Sequence, residues 1–325
     1  MTTEILQAPR LSTSRMLLLG ASSVVLCLSY LMAMFTPFPL AMATVLYGRA
    51  RGYGMALVGL VICALLGHFV FLEYTLAASY LCLAFTAVII AESVLRNWSP
   101  VRSVVTTGLV LLAMLGGLFA GYVASQKLSV HAAVTEEVAA VIAKLEEASK
   151  AGNFNQSLAD LGLARPAAEI AQEVITTIPG YLVMGVFFLL WTNMYLVLKG
   201  QRLLRVGEQH DESALLNFKM PFVGVYFVVA ALSLVMWGAQ LNPVWGEPAG
   251  QTLLKAVGVF YFFQGLGVIL SVLNHFQVVG FFRTLFVMAV VFFIPWAVAL
   301  VGLFDTWFDF DQKFKNKVSN FKEPL

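Results

Sequence analysis

The chain has 325 residues, of which 60% are hydrophobic and only 12% are charged, whereas soluble domains carry about 25% charged residues. This composition excludes an ordinary soluble enzyme, because so few charges cannot cover the water-exposed surface of a chain this long. The net charge of +2 is too small to indicate nucleic-acid binding. We therefore expect an all-α polytopic transmembrane helical bundle in a lipid bilayer.

The cysteines and the short motifs indicate no catalytic chemistry. There are three cysteines and no CxxC pair, and each cysteine lies within an apolar run, so we interpret them as buried small hydrophobic residues. The sequence contains no P-loop, no GxSxG elbow and no HExxH zinc helix. We therefore expect no metal, no cofactor and no enzymatic activity. The cysteines are Cys27, Cys63 and Cys82.

Apolar runs of membrane-spanning length recur along the chain. A spanning helix needs about 20 mainly apolar residues, and eight clear runs are predicted to span. A further apolar piece, residues 38–47, is too short to span unaided and is predicted to be either a short ninth span or a re-entrant half-helix. The eight runs cover residues 16–35, 53–72, 74–95, 104–124, 181–198, 222–241, 254–273 and 278–304.

The positions of Lys and Arg predict the orientation, because short cytoplasmic loops carry an excess of these residues. With a cytoplasmic N-terminus, all four basic clusters fall on the cytoplasmic side only if residues 38–47 cross the bilayer. This consistency favours a short, broken crossing. The clusters are Arg10 with Arg15, Arg49 with Arg51, Arg96 with Arg102, and Lys199 with Arg202, Arg205 and Lys219.

Residues 126–179 face outward in this scheme and have the most soluble character. Apolar residues recur at helical spacing, with charged residues on the other faces, which predicts an amphipathic helix. A second short helix is expected from Pro166, since proline is favoured in a first helical turn. The pair is predicted to form a hairpin on the outer surface, or alternatively a lid or a partner-docking surface. The apolar positions are Val134, Val138, Val141 and Leu145.

The last apolar run contains Pro295. If this run is one span, the Lys-bearing tail lies outside, against the basic preference for the cytoplasm. A break at Pro295 would instead form a helical hairpin and return the tail to the cytoplasm, and the charge rule favours this alternative. The expected organisation is membrane helices in residues 1–125, an outer segment in 126–179, membrane helices in 180–304 and a tail in 305–325.

Several ionisable and amide side chains lie within or beside the apolar runs. Such residues are costly in a membrane and are by default candidates for function. Ordinary roles compete: Glu92 precedes Arg96 by four residues, as in a neutralising helical pair, and amides often hydrogen-bond between helices. The candidates for a polar pocket are His68, Glu92, Asn193, Gln264, Asn274 and Arg283.

Two further features concern the breaks and the C-terminal end. Pro37, Pro39 and Pro295 are candidate helix breaks. Asp305 and Asp309 lie four residues apart beside Trp307 and form a candidate C-terminal motif, although an aromatic belt at the membrane interface also explains Trp307.

Five segments resemble the YybS-like family of bacterial polytopic membrane proteins of unknown function. The front end is also similar, more distantly, to the membrane-embedded substrate-binding components of energy-coupling-factor vitamin transporters and to MreD-type rod-shape proteins. The resemblance implies a bacterial inner-membrane location. The segments are PFPL at 37–40, LYGR at 46–49, FKMP at 218–221, YFFQGL at 261–266 and GLFDTWFDF at 302–310.

These resemblances imply two functions. In the first, the helices enclose a pocket for a small organic solute, and the chain is a transporter or a substrate-binding component whose energy comes from a separate ATPase module. In the second, the chain is a membrane scaffold that docks partner proteins through its spans and its outer hairpin. The proline-interrupted segments favour transport, because discontinuous helices line transporter sites.

Overall fold

A computed structural model describes residues 13–29, 31–71, 75–126, 129–150, 165–204, 213–242, 245–278 and 280–310. Every regular element in these ranges is helical, which confirms the expected all-α polytopic bundle. The helices are α1 (Thr13–Leu28), α2 (Pro37–Tyr47), α3 (Arg49–Leu66), α4 (Thr75–Leu95), α5 (Pro100–Gln126), α6 (Val130–Lys150), α7 (Ala167–Leu204), α8 (Ser213–Leu216), α9 (Val223–Leu241), α10 (Gly246–His275), α11 (Phe281–Phe293) and α12 (Pro295–Phe308).

Six helices are long and apolar enough to cross a membrane: α3 with the π-helical turn that follows it, α4, α5, α7, α9 and α10. The expected count of eight spans is too high, because the first apolar run breaks after Leu28 and the last one breaks at Pro295, the break that the charge rule favoured. In both, the chain changes direction within an apolar stretch, so hydropathy does not mark the break. Leu31 and Met32, between α1 and α2, are themselves large apolar residues that face away from the protein.

The N-terminal part of the chain forms a helical hairpin, α1 and α2, beside α3. Gly20 of α1 faces Met55 of α3, and the thiols of Cys27 and Cys63 hydrogen-bond to each other, so α1 and α3 run in the same direction. The chain must therefore return between them, and α2 is the helix that brings it back. This agrees with the expectation that residues 38–47 return the chain towards the basic turn at Arg49.

The return helix α2 is short and enclosed by protein. Its 11 residues cover about 16 Å at 1.5 Å per residue, roughly half of a bilayer's hydrocarbon thickness. Leu40, Ala41 and Ala43 are almost completely buried. A helix this short and this enclosed is compatible with both sequence alternatives, a short crossing and a re-entrant half-helix.

In the C-terminal half, α7 and α10 run side by side in the same direction. Phe187 packs on Phe260 with ring centroids 4.7 Å apart, and one turn further along, Trp191 stacks on Phe263 with centroids 4.1 Å apart and planes only 4° from parallel. Burial and stacking of these large rings supply much of the packing energy between the two helices.

The final helix, α12, packs against α10 with backbones almost in contact. A Cβ atom added to Gly302 would lie 1.9 Å from the carbonyl oxygen of Tyr261, and one added to Gly265 would lie 1.9 Å from that of Val298. Only glycine permits this approach. Close packing of small residues is the main way in which helices associate within lipid.

The chain bends by 99° between α11 and α12. Ile294 leaves the helical conformation, with φ −138° and ψ 52°, and Pro295 becomes the first residue of α12, where its missing N–H costs nothing. Pro295 therefore breaks the run, as expected, but the two helices form neither a straight span nor a tight hairpin. None of the residues of α11 is buried. The tail from residue 311 lies outside the described residues.

The described parts of residues 126–179 are largely helical, with α6 at Val130–Lys150 as the apolar spacing predicts. However, the helix expected from Pro166 does not stop before the next span: α7 continues from Ala167 through Pro179 to Leu204 as a single helix of 38 residues. The boundary expected at residue 179 thus falls inside α7. Proline lacks an N–H group and so removes one hydrogen bond from the helix, but the flanking turns remain helical.

Candidate functional site

A buried glutamine joins three segments of the C-terminal half. The side chain of Gln264, on α10, is 2% exposed. Its Oε1 atom accepts a hydrogen bond from the backbone N–H of Met220 at 2.9 Å, and its Nε2 atom donates to Oδ2 of Asp305 at 2.9 Å. Gln264, on α10, therefore connects the segment just before α9 to α12. Gln264 and Asp305 are separate candidates in the sequence, and the fold brings them together.

The carboxylate of Asp305 lies inside the helical bundle, where a charged group is energetically unfavourable. It is 1% exposed, and it lies on a helix packed against the spanning helix α10. A charged side chain within a membrane protein is usually tied to a substrate pathway, an ion pathway or a partner group. Its bond from Gln264 is charge-assisted, and such bonds are roughly twice as strong as neutral ones.

Two hydroxyl groups lie beside this pair. Tyr261 is one turn before Gln264 on the same face of α10, and Thr306 follows Asp305 on α12. The hydroxyls of Tyr261 and Thr306 are close to each other, and neither buried oxygen has a hydrogen-bond partner of good geometry among the described residues. Buried polar atoms in native proteins are nearly always satisfied, so these two oxygens require an explanation.

The edge of this cluster carries an ion pair. Lys219, next to Met220, donates a hydrogen bond to Asp309, and both side chains are partly exposed. Trp307 packs edge-on against Phe222. Asp309 ends α12 with a left-handed backbone conformation, φ 48°. From the sequence, Lys219 was grouped with Lys199 in a basic turn. In the fold, Lys219 lies beside Gln264. Gln264 is about 16 Å along α10 from the C-terminal end of that helix. We call Tyr261, Gln264, Asp305 and Thr306 the polar cluster.

Asn193 is a second buried amide, on α7. It is 0% exposed, and its Nδ2 atom donates to the carbonyl oxygen of Met34 at 2.8 Å, which fixes the chain just before the short helix α2. Trp191, two residues earlier on α7, faces α10 instead, where it stacks on Phe263. Asn193 therefore supports the N-terminal hairpin and does not join the polar cluster.

Glu92 forms a separate cluster where α3 begins and α4 ends. Its carboxylate accepts hydrogen bonds from Nε of Arg49 at 2.5 Å, from the hydroxyl of Tyr53 at 2.5 Å and from Nε of Arg96 at 3.2 Å. The pair with Arg96 is the one expected from the sequence. Arg49 and Tyr53 were not anticipated, because they are distant in sequence from Glu92. These hydrogen bonds hold the start of α3 against the end of α4.

The other candidates do not converge on these groups. His68 is exposed in the π-helical turn after α3, Asn274 is exposed near the end of α10, and Arg283 is half-buried on α11. Within the described part of the chain, the six candidate residues thus form no single pocket. Tyr261 and Thr306 were not predicted as site residues. The signal that could have identified Tyr261 is a tyrosine three residues before a glutamine inside an apolar run.

An apolar cleft of about 340 Å³ opens at the other end of the bundle, between α5, α6 and α7. Phe119, Val138 and Ile170 are among its lining residues. At its edge, the hydroxyl of Tyr122 donates to Oε1 of Glu137 at 2.9 Å. The cleft is formed by the apolar stripe of α6 that the sequence predicted.

Comparisons with known proteins identify a family but no similar individual protein. Neither the curated proteins nor the solved structures contain a match to this chain. The sequence profile of one family, described as "Predicted membrane protein (DUF2232)", matches residues 15–306. That match includes all the helices from α2 to α11 and most of α1 and α12. The chain therefore belongs to the DUF2232 family of predicted membrane proteins.

Proposed function

We propose that this membrane protein transports, or binds for transport, a small organic solute at the polar cluster. The observation that carries the proposal is the buried carboxylate of Asp305, which accepts a hydrogen bond from Gln264 of α10. Ionisable residues inside membrane bundles mark substrate and ion pathways. The break before α12 and the short, enclosed α2 resemble the discontinuous helices that contribute to binding sites in transporters.

The orientation in the membrane forms part of this proposal. Arg49 and Arg96 share the cluster with Glu92, and Gly200, next to Lys199, contacts Met42 of α2, so these basic residues gather at one end of the bundle. The positive-inside rule assigns that end to the cytoplasm. The cleft between α5, α6 and α7 then lies outside, and the membrane is the inner membrane of a bacterium.

The source of energy remains part of the proposal. The sequence has no nucleotide-binding motif, so a separate ATPase module would energise transport if the chain acts like the substrate-binding components of energy-coupling-factor transporters, which its front end resembles. The YybS-like resemblance is compatible with transport and adds no substrate.

The test is ligand-dependent thermal stabilisation of the purified protein, because a ligand that binds only the native state raises its stability. A panel of vitamins, amino acids and other small metabolites should contain a solute that raises the unfolding temperature of the wild type. The shift should be lost in Asp305→Asn and retained in Asn274→Ala, since Asn274 is exposed and distant from the cluster. No shift across a broad panel would contradict the proposal.

The alternative function is a scaffold, favoured by the open apolar cleft at the outer end. Val138 lines that cleft, and Ala139 is exposed on another face of α6. If a partner helix docks there, Val138→Glu should abolish co-purification of that partner while Ala139→Glu should not. Equal recovery of the partner with both variants would exclude docking at the cleft.

A further inference from the structure

The two arginines that share Glu92 have unused hydrogen-bonding capacity. Arg49 bonds to the carboxylate through Nε and Nη2, and Arg96 bonds to it through Nε. A guanidinium group has five N–H donors, so each arginine keeps donors that do not bond to Glu92. The side chains of Arg49 and Arg96 are 55% and 62% exposed, whereas that of Glu92 is 19% exposed. The open side of the cluster therefore presents guanidinium groups rather than the carboxylate.

The positive charges of this cluster exceed the negative charge. Among the described residues, Glu92 is the one carboxylate that pairs with either arginine. The surrounding sequence adds to the excess, because residues 48–53 and 92–102 together contain four arginines and one glutamate. Two guanidinium groups bound to the same carboxylate repel each other, and a second anion on their exposed side would offset this repulsion.

The cluster lies at the boundary of two spanning helices. Arg49 is the first residue of α3, and Arg96 follows the last residue of α4; both helices are long and apolar enough to cross a membrane. Trp98 lies nearby, with the guanidinium of Arg102 5.6 Å from the centroid of its ring, and tryptophan is typical of the membrane–water interface. The anions at this depth of a bilayer are the phosphates of lipid headgroups.

The chemistry of the available donors suits a phosphate group. A guanidinium group is planar and can direct two parallel N–H groups at two phosphate oxygens. Glu92 holds Nε of both arginines, and the hydroxyl of Tyr53 donates to the same carboxylate at 2.5 Å. The donors are thus in place before a ligand binds, which lowers the entropic cost of binding. The excess of positive charge favours a headgroup with a net negative charge over a zwitterionic headgroup.

We propose that Arg49 and Arg96 bind the phosphate of an anionic phospholipid headgroup, with Glu92 as the residue that positions both guanidinium groups. Gly48 lies directly before Arg49 and turns the chain from α2 into α3 with a φ of 87°. The bound headgroup therefore holds the junction of α2 and α3 against the end of α4 at the membrane surface. The site is separate from the polar cluster and does not depend on transport.

The test is thermal unfolding of the purified full-length protein in detergent micelles that contain increasing fractions of phosphatidylglycerol or phosphatidylcholine. Phosphatidylglycerol should raise the unfolding temperature in a saturable manner. Phosphatidylcholine carries the same phosphate with a compensating cation and should have little effect. Equal stabilisation by the two lipids would overturn the proposal.

Inorganic phosphate separates a lipid headgroup from a soluble anion. In lipid-free micelles, phosphate should give a smaller shift than phosphatidylglycerol when chloride at the same ionic strength is the reference, because the acyl chains of the lipid raise the local concentration of its headgroup. A phosphate shift as large as the phosphatidylglycerol shift would show that the site takes a soluble anion and would overturn the assignment to a lipid.

Two variants separate a specific site from a general attraction between charges. Arg96→Lys keeps the charge but loses the planar pair of donors. Its apparent affinity for phosphatidylglycerol should fall about tenfold, the loss expected for one hydrogen bond to a charged group. Arg102→Gln removes a charge from the same end of the bundle and should keep most of the affinity. General attraction predicts the opposite order, a loss in Arg102→Gln and none in Arg96→Lys.

The variant Arg96→Lys should fold, because Glu92 keeps its bonds to Arg49 and Tyr53. Unchanged affinity for phosphatidylglycerol in folded Arg96→Lys would overturn the site. A phosphatidylglycerol shift without any shift by an organic solute would support the lipid site and contradict the proposed transport. A solute shift without a phosphatidylglycerol shift would do the reverse.

Discussion

At the scale of single residues, the buried amides have distinct tasks. Gln264 uses both ends of its amide to connect the segment just before α9 to α12. Asn193 uses its Nδ2 atom to hold the carbonyl oxygen of Met34, and its Oδ1 atom has no partner among the described residues. Both residues are polar within apolar runs, so the sequence identifies them as candidates. It does not reveal their partners, which come from helices distant along the chain.

Replacement of Asn193 should weaken the N-terminal hairpin. Asn193→Leu keeps a similar side-chain volume but removes the bond to Met34, and loss of a buried hydrogen bond of this kind costs about 1–3 kcal/mol. We expect a lower unfolding temperature in detergent, whereas the exposed Asn274→Leu should change it little. Equal effects of the two variants would show that the bond to Met34 does not support the fold.

At the scale of helices, some glycines allow two helix backbones to come into close contact, and others do not. Gly265 and Gly302 are in near contact across α10 and α12, whereas Gly116 and Gly117 of α5 have no neighbouring atom within 4 Å of an added Cβ. The spacing of glycines in the sequence does not separate these cases. The difference arises from which face of each helix meets another helix.

This contrast gives a matched pair of variants. In Gly302→Ala the new Cβ would lie 1.9 Å from the carbonyl oxygen of Tyr261, and overpacking of this kind costs about 1–3 kcal/mol. Gly117→Ala should instead stabilise α5, because alanine is favoured over glycine in a helix by about 1 kcal/mol. The two unfolding temperatures should therefore shift in opposite directions. A harmless Gly302→Ala would contradict the close packing of α12 on α10.

At the scale of the whole molecule, hydropathy was enough to predict the class and most of the spans. It failed after Leu28 and at Ile294, because the residues around these two breaks are mostly apolar, so the hydropathy profile does not mark them. The polar cluster was predicted only in part. Gln264 and Asp305 stood out as polar residues, but Tyr261 and Thr306 resemble ordinary residues of a membrane helix until the fold places them together.

The return of the chain through α2 predicts a specific topology. In a variant without the native cysteines, Arg51→Cys and Lys199→Cys should react with a membrane-impermeant maleimide only after the cells are permeabilised, because both residues lie at the basic end of the bundle. Lys144→Cys, on α6, should react in intact cells. Labelling of Arg51→Cys in intact cells would show that α2 does not bring the chain back.

The central claim is that the polar cluster binds the transported solute. Its most direct test is equilibrium binding of the most stabilising panel solute to the wild type, to Asp305→Asn and to the control Asn274→Ala, with folding of each variant checked by its thermal transition. The claim predicts saturable binding to the wild type and the control, and at least a tenfold loss of affinity, about 1.4 kcal/mol, in folded Asp305→Asn. Unchanged affinity in folded Asp305→Asn would contradict it.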